Sequence, residues 1–289
     1  MAAEGPDSSG GPPVPRTDYD RMAPRYEAGR SLPDSGMQAW REALSTYLPP
    51  ARSMPILDLG SGTGIWTRAL ARWFNVRVIG VEPSEGMRAV AEAAEPHPLI
   101  RYVPGRAEDI PLDAGSMGAA MLSTVIHHVS DVDTAVRELH RVLTPGAPVL
   151  VRSAFSDRTG GVPWLRYFPD ARPLAEARWP RTDDVVGAFV RGGFSFAELR
   201  SIPQVSASNL REYGERIRTR ADSTLDILDD AAFQRGMEAL ERDAGEEGGD
   251  DPVVVRLDLL VLRRDAAARG GGPLRYAKRA RGTWNIAGR

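Results

Sequence analysis

The chain has 289 residues, of which 42% are hydrophobic and 26% are charged, and its net charge is −2. This size and composition fit one large domain or two small ones, and they exclude global disorder. Because the sequence contains no cysteine, disulfides, thiolate zinc sites and covalent cysteine mechanisms are excluded. No window approaches about 18 consecutive apolar residues and the first residues do not resemble a secretory signal, so we expect a soluble, cytoplasmic protein without membrane association.

The charge is unevenly distributed along the chain. Residues 265–289 contain six basic residues and one acidic residue, which leaves a net charge of −7 on the rest. An acidic body does not attract nucleic acid, so we expect no nucleic-acid partner. We interpret residues 265–289 as a basic C-terminal tail, and the Gly-, Pro- and Ser-rich residues 1–18 as a disordered N-terminus.

Short β-type runs alternate with helical stretches from Met54 to Arg152. The predicted strands are MPILDLG, VRVIGVEP, PLIRYVPG, GAAMLSTV and APVLVRSAF, and the predicted helices are IWTRALARWF, EGMRAVAEAA and DVDTAVRELHRVL. This alternation with short connections predicts right-handed βαβ units. The fold class is therefore α/β, with a doubly wound, mostly parallel sheet and helices on both faces.

The pattern changes after Phe155. Residues 156–182 place aromatic side chains among prolines and arginines, and we interpret them as a cap insertion over the carboxyl edge of the sheet. A helix (TDDVVGAFVRGG) and a strand (FSFAELRSI) follow, and then two polar helices within residues 208–243. The last run, PVVVRLDLLVLRR, has no crossover helix before it, so we expect a final, antiparallel strand. The predicted domain spans residues 19–264 with seven strands.

A glycine-rich turn, ILDLGSGTG at residues 56–64, ends the first predicted strand. At this edge a doubly wound fold holds nucleotide-like ligands. A dinucleotide fingerprint would need a third glycine where the chain has Ile65, and no phosphate-loop lysine follows. A carboxylate at Asp58 opposes a pyrophosphate but suits a ligand with an ammonium group and no phosphate. Glu82, at the end of the second predicted strand, could accept hydrogen bonds from ribose hydroxyls.

Four motifs in order and spacing resemble those of class I S-adenosyl-L-methionine (SAM)-dependent methyltransferases. They are LDLGSGTG, VEPSEGM, GRAEDIPL and MLSTVIHHV, and the resemblance is greatest to the ubiquinone/menaquinone-biosynthesis type and its small-molecule relatives. It covers about residues 17–200 and implies a Rossmann-like fold, SAM as cofactor, S-adenosyl-L-homocysteine as product, and no metal. Residues 19–27 resemble the N-terminal Y-D-x-x-A-x-x-Y segment, which folds over the cofactor as a helical lid.

The resemblance also implies which residues hold the cofactor. The methionine half would lie over the glycine turn, the ribose at Glu82, and the adenine between Met87 and the loop that contains Glu108. The predicted cofactor-binding residues are Tyr19, Asp58, Gly60, Ser61, Gly62, Thr63, Glu82, Pro83, Met87, Arg106, Ala107, Glu108 and Ser123. Met87 has an alternative role in the core of an amphipathic helix, and Glu108 has one as the cap of a turn.

A methyl acceptor needs a base only if it must lose a proton, and histidine is tuned for that near neutral pH. His127 and His128 follow the predicted strand of Ser123, and strand alternation would put His127 on the same side as Ser123. We therefore predict His127, His128 and the lid residue Tyr26 as catalytic residues. The alternatives are that both histidines pack structurally and that Tyr26 is a core aromatic. Adjacent histidines on a strand would point in opposite directions, which argues against a metal site.

The expected acceptor is a small molecule. The Asn/Asp-Pro-Pro-Tyr/Phe motif of base-amine methylation is absent from the fourth strand, and cytosine C5 methylation would need a cysteine. We expect methylation of an O, N or C centre in specialised, antibiotic-type metabolism. A quinone-biosynthesis C-methyltransferase and a SAM-binding assembly subunit without methyl transfer are the alternatives. The N-terminal segment and the helices within residues 208–243 offer surfaces for a homo-oligomer.

Overall fold

A seven-stranded mixed sheet lies at the centre of the protein. The computed structural model describes residues 17–48, 54–94, 96–246, 251–266, 275–278 and 284–287. The strands of the sheet are β1 (Ile56–Leu59), β2 (Val78–Glu82), β3 (Ile100–Pro104), β4 (Ala119–Ser123), β5 (Pro148–Ser153), β6 (Phe194–Ala207) and β7 (Val253–Arg264). Their spatial order is β3-β2-β1-β4-β5-β7-β6.

Strands β1 to β5 run parallel, whereas β7 lies between β5 and β6 and is antiparallel to both. The prediction of a doubly wound, mostly parallel, seven-stranded sheet with an antiparallel final strand is confirmed. Strands β1, β4 and β5 are buried along their whole length, which explains their nearly continuous apolar sequences, because helices cover both faces. The strand order reverses between β1 and β4, and this reversal creates a crevice for a ligand at their carboxyl ends.

Helices α2 to α5 and α7 cover the two faces of the sheet. The helices in chain order are α1 (Tyr19–Arg30), α2 (Asp34–Ser45), α3 (Ile65–Phe74), α4 (Glu85–Ala93), α5 (Val132–Val142), α6 (Arg172–Arg178), α7 (Thr182–Arg191), α8 (Leu210–Arg218), α9 (Ser223–Asp226) and α10 (Asp230–Glu246). Leu57 faces α5 and α7, whereas Ile56 faces α2 and α3. Because strand side chains alternate, Asp58, Ser123 and Arg152 lie on the α2 and α3 side.

Helix α1 is the segment that the sequence predicts to be a lid. The Asp20 carboxylate accepts hydrogen bonds from the Gly86 N–H (2.7 Å) and the Ser84 hydroxyl (2.6 Å) at the start of α4. On the opposite side, Arg25 forms a 2.6 Å ion pair with Asp226 of α9. These contacts hold α1 between α4 and α9, beside the carboxyl edge of the sheet.

Residues 156–182 and helices α8 to α10 pack into one apolar cluster, which we call the cap. Phe168 and Phe233 contact each other across it, with ring centroids 5.4 Å apart. The sequence analysis predicts two helices within residues 208–243, and the structure has three, because the short helix α9 lies between α8 and α10. The Asp222 side chain accepts a hydrogen bond from the Thr224 N–H (2.9 Å), and this N-cap starts a separate turn between α8 and α10.

The two ends of the chain are described only in part. The predicted disordered N-terminus lies outside the described residues up to residue 16. Within residues 265–289, β8 (Arg275–Lys278) pairs antiparallel with β9 (Trp284–Ala287), a hairpin that the sequence analysis did not predict. Across the described ranges, no helix is long and apolar enough to cross a membrane.

Candidate functional site

The turn after β1 has backbone angles that glycine adopts more readily than other residues. Gly60 and Gly62 have φ angles of 70° and 54°, which side chains disfavour. The N–H groups of Gly60 and Ser61 donate to the Val81 carbonyl at 2.7 Å and 3.1 Å. An added Cβ at Gly60 would lie 2.5 Å from a Val125 methyl, whereas one at Gly62 would meet no described atom within 4 Å. The turn is therefore fixed at Gly60 and open above Gly62.

Glu82 supports this turn from the end of β2. Its carboxylate accepts hydrogen bonds from the Gly62 N–H and the Ser84 N–H, both at 3.0 Å. Burial raises the pKa of Glu82, and these two hydrogen bonds lower it in part. One carboxylate thus positions the glycine turn and also faces the cavity beside it.

A cavity of about 270 Å³ lies over the carboxyl ends of β1, β2 and β4, and we call it the glycine-turn cavity. Most of the predicted cofactor-binding residues line it. They are Tyr19, Gly60, Gly62, Glu82, Pro83, Met87, Arg106, Ala107, Glu108 and Ser123. The structure therefore brings the four motifs together, and their roles in binding stay predictions.

Asp58 lines neither this cavity nor the neighbouring one. Its side chain is 1% exposed beneath the turn and accepts a 2.6 Å hydrogen bond from the Thr67 hydroxyl. Burial raises the pKa of Asp58 to about 7, and the negative charge of Glu82 adds to the shift. Asp58 therefore contacts neither cavity directly, and a cationic ligand group nearby would favour its ionised form.

Glu108 stabilises the loop after β3 through hydrogen bonds. Its carboxylate accepts hydrogen bonds from the Ser130 N–H (2.9 Å) and hydroxyl (2.6 Å), and from Arg106 (3.1 Å). Burial alone would raise the pKa of Glu108, but these hydrogen bonds lower it to about 2. The turn-capping alternative thus describes most of its contacts, although Glu108 also faces the glycine-turn cavity. Met87 similarly serves both roles, because it packs on Met22 in a small core cluster and lines the cavity.

A second cavity of about 140 Å³ lies between α1, β5, β6 and the cap, and we call it the cap cavity. Ser61 and Thr63 line it, and both of their buried hydroxyls lack a hydrogen-bond partner among the described residues. Its aromatic walls include Trp66, Trp164, Trp179 and Tyr213. The residues that line both cavities are Tyr19, Tyr26, Gly60, Gly62, Ser123, Thr124 and His128.

The strand of Ser123 does not continue to His127, so the prediction from strand alternation rests on a wrong premise, although both residues line the cap cavity. Strand β4 ends at Ser123, Thr124 adopts a φ of 56°, and residues 126–128 form a 3-10 turn. The Thr124 N–H makes the last ladder bond of β4 with β5, to the Arg152 carbonyl at 2.7 Å, and the positive φ then turns the chain out of the strand direction. As a result His128 lies where the two cavities meet, and His127 lines only the cap cavity.

The two imidazoles lie side by side, with ring centroids 4.0 Å apart, and do not point in opposite directions as a strand would have placed them. Burial lowers the pKa of His127 well below its usual range, and burial together with the positive charge of Arg178 lowers that of His128 to about 4. The Tyr19 hydroxyl lies 2.6 Å from Nε2 of His128. Both rings are therefore neutral near pH 7. In the described part of the chain, no group of three or more potential ligands is placed to hold a metal ion.

We expect the NMR signals of His127 and His128 to stay constant from pH 8 down to about pH 5, because both folded-state pKa values lie below the ordinary value of about 6.5. The measurement is a histidine-selective pH titration of the ligand-free protein. His127→Gln and His128→Gln assign the two signals. An inflection near pH 6.5 for His128 would contradict the burial that the structure gives it.

Arg152 is a site residue that the sequence analysis did not single out. It lies near the end of β5, is 5% exposed and lines the cap cavity. A usable signal was present, since an arginine interrupts the apolar run APVLVRSAF in a strand expected to be buried on both faces.

The sequence relatives of the chain are methyltransferases. Residues 57–151 match the model of the Methyltransf_11 family, described as a methyltransferase domain. The ubiquinone/menaquinone biosynthesis C-methyltransferase UbiE of Rubrivivax gelatinosus is 33% identical over 133 residues, which make up 46% of this chain and 52% of that enzyme. The chain thus spans about half the length of this curated relative.

Solved structures share the fold. A protein described as a methyltransferase of an antibiotic biosynthesis pathway from Anabaena variabilis superimposes with a TM-score of 0.63 at 19% identity, over 79% of this chain and 99% of that one. The cyclase SpnF superimposes with a TM-score of 0.59 at 18% identity, over 86% of this chain and 94% of that one. At these identities the likeness shows the fold alone. Together, the family match, the sheet order and the glycine turn show that residues 57–151 are similar to the methyltransferase domain of the Methyltransf_11 family.

Proposed function

We propose that the chain transfers the methyl group of SAM to an O, N or C centre of a small molecule bound in the cap cavity, and releases S-adenosyl-L-homocysteine. The observation that carries this proposal is the shared wall of the two cavities, where Tyr19, Ser123 and His128 face both. Ligands in the two cavities would meet at these residues. In-line displacement requires the acceptor atom to face the methyl group, and holding the two reactants in this orientation accounts for much of the rate acceleration.

The residues around the glycine-turn cavity fit SAM. A Cβ at Gly62 would project into open space, so the backbone there is free to approach a ligand. The Glu82 carboxylate keeps acceptor capacity for ribose hydroxyls beyond its two backbone hydrogen bonds. Ser61 and Thr63, whose hydroxyls have no hydrogen-bond partner among the described residues, line the neighbouring cap cavity, so the polar methionine half would reach them across the shared wall.

When bound, SAM supplies an electrophilic methyl group on a sulfonium. The chain positions the acceptor, and α1 with the cap keeps water out. The acceptor atom would form its bond to the methyl carbon while the sulfur–carbon bond breaks. An O–H or N–H acceptor would give its proton to the Tyr19 hydroxyl, which lines both cavities and would pass its own proton to Nε2 of His128, 2.6 Å away. A carbon acceptor that needs no deprotonation would use the same walls without the base.

The walls of the cap cavity support a small acceptor. Trp164 and Trp179 contact each other edge to face, 6.0 Å between ring centroids, and line the cavity together with Tyr213. Such walls suit a flat or apolar molecule. Specialised metabolism, a cytoplasmic setting and a homo-oligomeric state stay predictions of the sequence. The first of these fits a structural neighbour that is described as part of an antibiotic pathway.

Calorimetry with SAM and S-adenosyl-L-homocysteine tests the cofactor, with NADH as the negative control. We expect dissociation constants of about 1–100 μM for both SAM-derived ligands and no binding of NADH. Transfer of labelled methyl from SAM to candidate small molecules then tests the reaction. SAM binding with no methyl release to any acceptor would favour the assembly-subunit alternative, and no SAM binding at about 1 mM would contradict the proposal.

His128→Gln is expected to slow methyl transfer to an O–H acceptor by about tenfold. This is less than the usual contribution of a general base, because an imidazole with a pKa of about 4 is a weak one. The measurement is the single-turnover rate with saturating SAM, alongside the affinity for S-adenosyl-L-homocysteine. His127→Gln is the matched variant and should reduce the rate less, because His127 lies outside the shared wall. A larger loss in His127→Gln would reverse the assignment.

A further inference from the structure

Arg152 is a buried cation without a matching anion. Its guanidinium donates to the Ser123 hydroxyl (3.2 Å) and to the Gln204 side-chain oxygen (2.7 Å), and its Nε has no acceptor among the described residues. No carboxylate in the described ranges pairs with it. Two of its five N–H groups are therefore satisfied, both by neutral oxygens.

The position of this guanidinium is fixed by two tryptophans. It lies 4.8 Å from the ring centroid of Trp40 and 4.7 Å from that of Trp66. The Trp40 indole N–H also donates to Gln204 at 2.6 Å, which orients the amide oxygen toward Arg152. The cation–π contacts with the two rings stabilise the guanidinium, but they offset only part of the cost of burying a charge without a paired anion.

The other charged residues that line the cap cavity are already in ion pairs. The charged residues in its lining are Arg30, Arg152, Arg216 and Asp222. Arg30 pairs with Asp222 at 3.1 Å and Arg216 pairs with Glu212 at 2.9 Å, which leaves Arg152 as the uncompensated charge of the lining. Burial and the positive charge of Arg30 lower the pKa of Arg152 to about 9, so it stays protonated near neutral pH and would gain most from an incoming anion.

We propose that Arg152 binds a carboxylate of the methyl acceptor, so that the acceptor class is small aromatic or apolar carboxylic acids. The proposal rests on the methyl-transfer function proposed above. The carboxylate would lie between Arg152 and the shared wall, because Ser123 contacts both Arg152 and the glycine-turn cavity. Arginine and a carboxylate in a site of low dielectric form strong, directional hydrogen bonds. The group to be methylated would then face His128.

A second source of a carboxylate is the cofactor itself. The methionine half of SAM carries one, and Gly62 and Thr63, over which it is predicted to lie, also line the cap cavity. Binding of S-adenosyl-L-homocysteine to Arg152→Gln distinguishes the two sources, since only a cofactor carboxylate would make this affinity depend on Arg152.

The experiment has two calorimetric stages, and wild-type protein is used first. Binding of S-adenosyl-L-homocysteine tests the proposed function by itself. The complex is then titrated with paired probes, each an acid and its primary amide: 4-hydroxybenzoate and 4-hydroxybenzamide, indole-3-acetate and indole-3-acetamide, and octanoate and octanamide. We expect at least one acid to bind about tenfold or more tightly than its amide, which corresponds to about 1.4 kcal/mol.

Substitutions test whether Arg152 causes the preference for an acid over its amide. In Arg152→Gln the acid and its amide should bind about equally, while affinity for S-adenosyl-L-homocysteine stays within about threefold of wild type. Arg216→Gln is the matched control, because Arg216 lines the same cavity but is already paired with Glu212, and it should keep the preference. Arg152→Met, which can pack against the two tryptophan rings, replaces Arg152→Gln if that variant does not fold.

Three results would overturn the proposal. One is a wild-type complex that binds no acid more tightly than its amide. Another is an Arg152 variant that keeps the acid preference. The third is a loss of about tenfold or more in affinity for S-adenosyl-L-homocysteine in the Arg152 variant, which would assign Arg152 to the cofactor carboxylate. Failure of the wild type to bind S-adenosyl-L-homocysteine would instead contradict the proposed function.

Discussion

Glu82→Ala is expected to weaken binding of S-adenosyl-L-homocysteine by about 100-fold or more, which corresponds to about 2.7 kcal/mol. The substitution removes the predicted acceptor for two ribose hydroxyls, and hydrogen bonds to charged groups contribute about 1.5–3 kcal/mol each. It also removes the acceptor for the Gly62 N–H. The glycine turn would then lose the contact that holds it against β2 at its open position.

Calorimetry on Glu82→Ala and Glu82→Gln separates these two effects. Glutamine has nearly the same volume and keeps one acceptor oxygen, so it can still hold either Gly62 or Ser84 but lacks the charge. We expect Glu82→Gln to lose about tenfold in affinity, with a melting temperature closer to wild type than that of Glu82→Ala. Equal affinity of Glu82→Ala and wild type would remove Glu82 from the ligand site and with it the predicted cofactor pose.

The residues that sequence reasoning placed well are those whose environment is set by local chain geometry. The glycine turn is an example, because positive φ angles at Gly60 and Gly62 follow from a tight turn between a buried strand and a helix. Glu82 is another, because the ends of adjacent parallel strands meet at one edge of the sheet, and the register pairs Leu59 with Val81. The pattern of strands and turns along the sequence is enough to predict where such residues lie.

The histidine pair shows where this reasoning fails. Extending β4 to His127 requires extended backbone at Thr124, and that residue instead adopts a positive φ. A β-branched residue rarely adopts this conformation, so no pattern in residues 119–128 signals the break. The ring contact with Tyr19 of α1 also joins residues more than 100 positions apart, which periodicity cannot predict.

Arg152 is a different case, because its strand was predicted but its surroundings were not. The tryptophans that hold it belong to α2 and α3, and Gln204 comes from β6. Each of these residues is unremarkable in its own segment. Only the order of the sheet, with β4 and β5 adjacent, brings Ser123 beside Arg152 and so connects the predicted cofactor site to the predicted acceptor site.

Gly62→Ala is expected to weaken binding of S-adenosyl-L-homocysteine by about 30- to 100-fold while leaving the protein folded. Placing a Cβ in a left-handed backbone costs about 1–2 kcal/mol of stability, and at Gly62 the Cβ would meet no described protein atom within 4 Å. It would instead occupy space above the turn that a ligand needs. Overpacking of this kind costs about 1–3 kcal/mol, which sets the expected loss of affinity.

Gly115→Ala is the matched control for this experiment. Gly115 also has a positive φ, 64°, with no described atom within 4 Å of an added Cβ, and it lines neither cavity. The two variants should therefore lose similar free energy of unfolding, measured by urea denaturation, because alanine is disfavoured by the left-handed backbone at both positions. Only Gly62→Ala should lose ligand affinity. Equal affinities in the two variants would show that no ligand lies over the open position of the turn, and the cofactor would then have to bind elsewhere along the sheet edge.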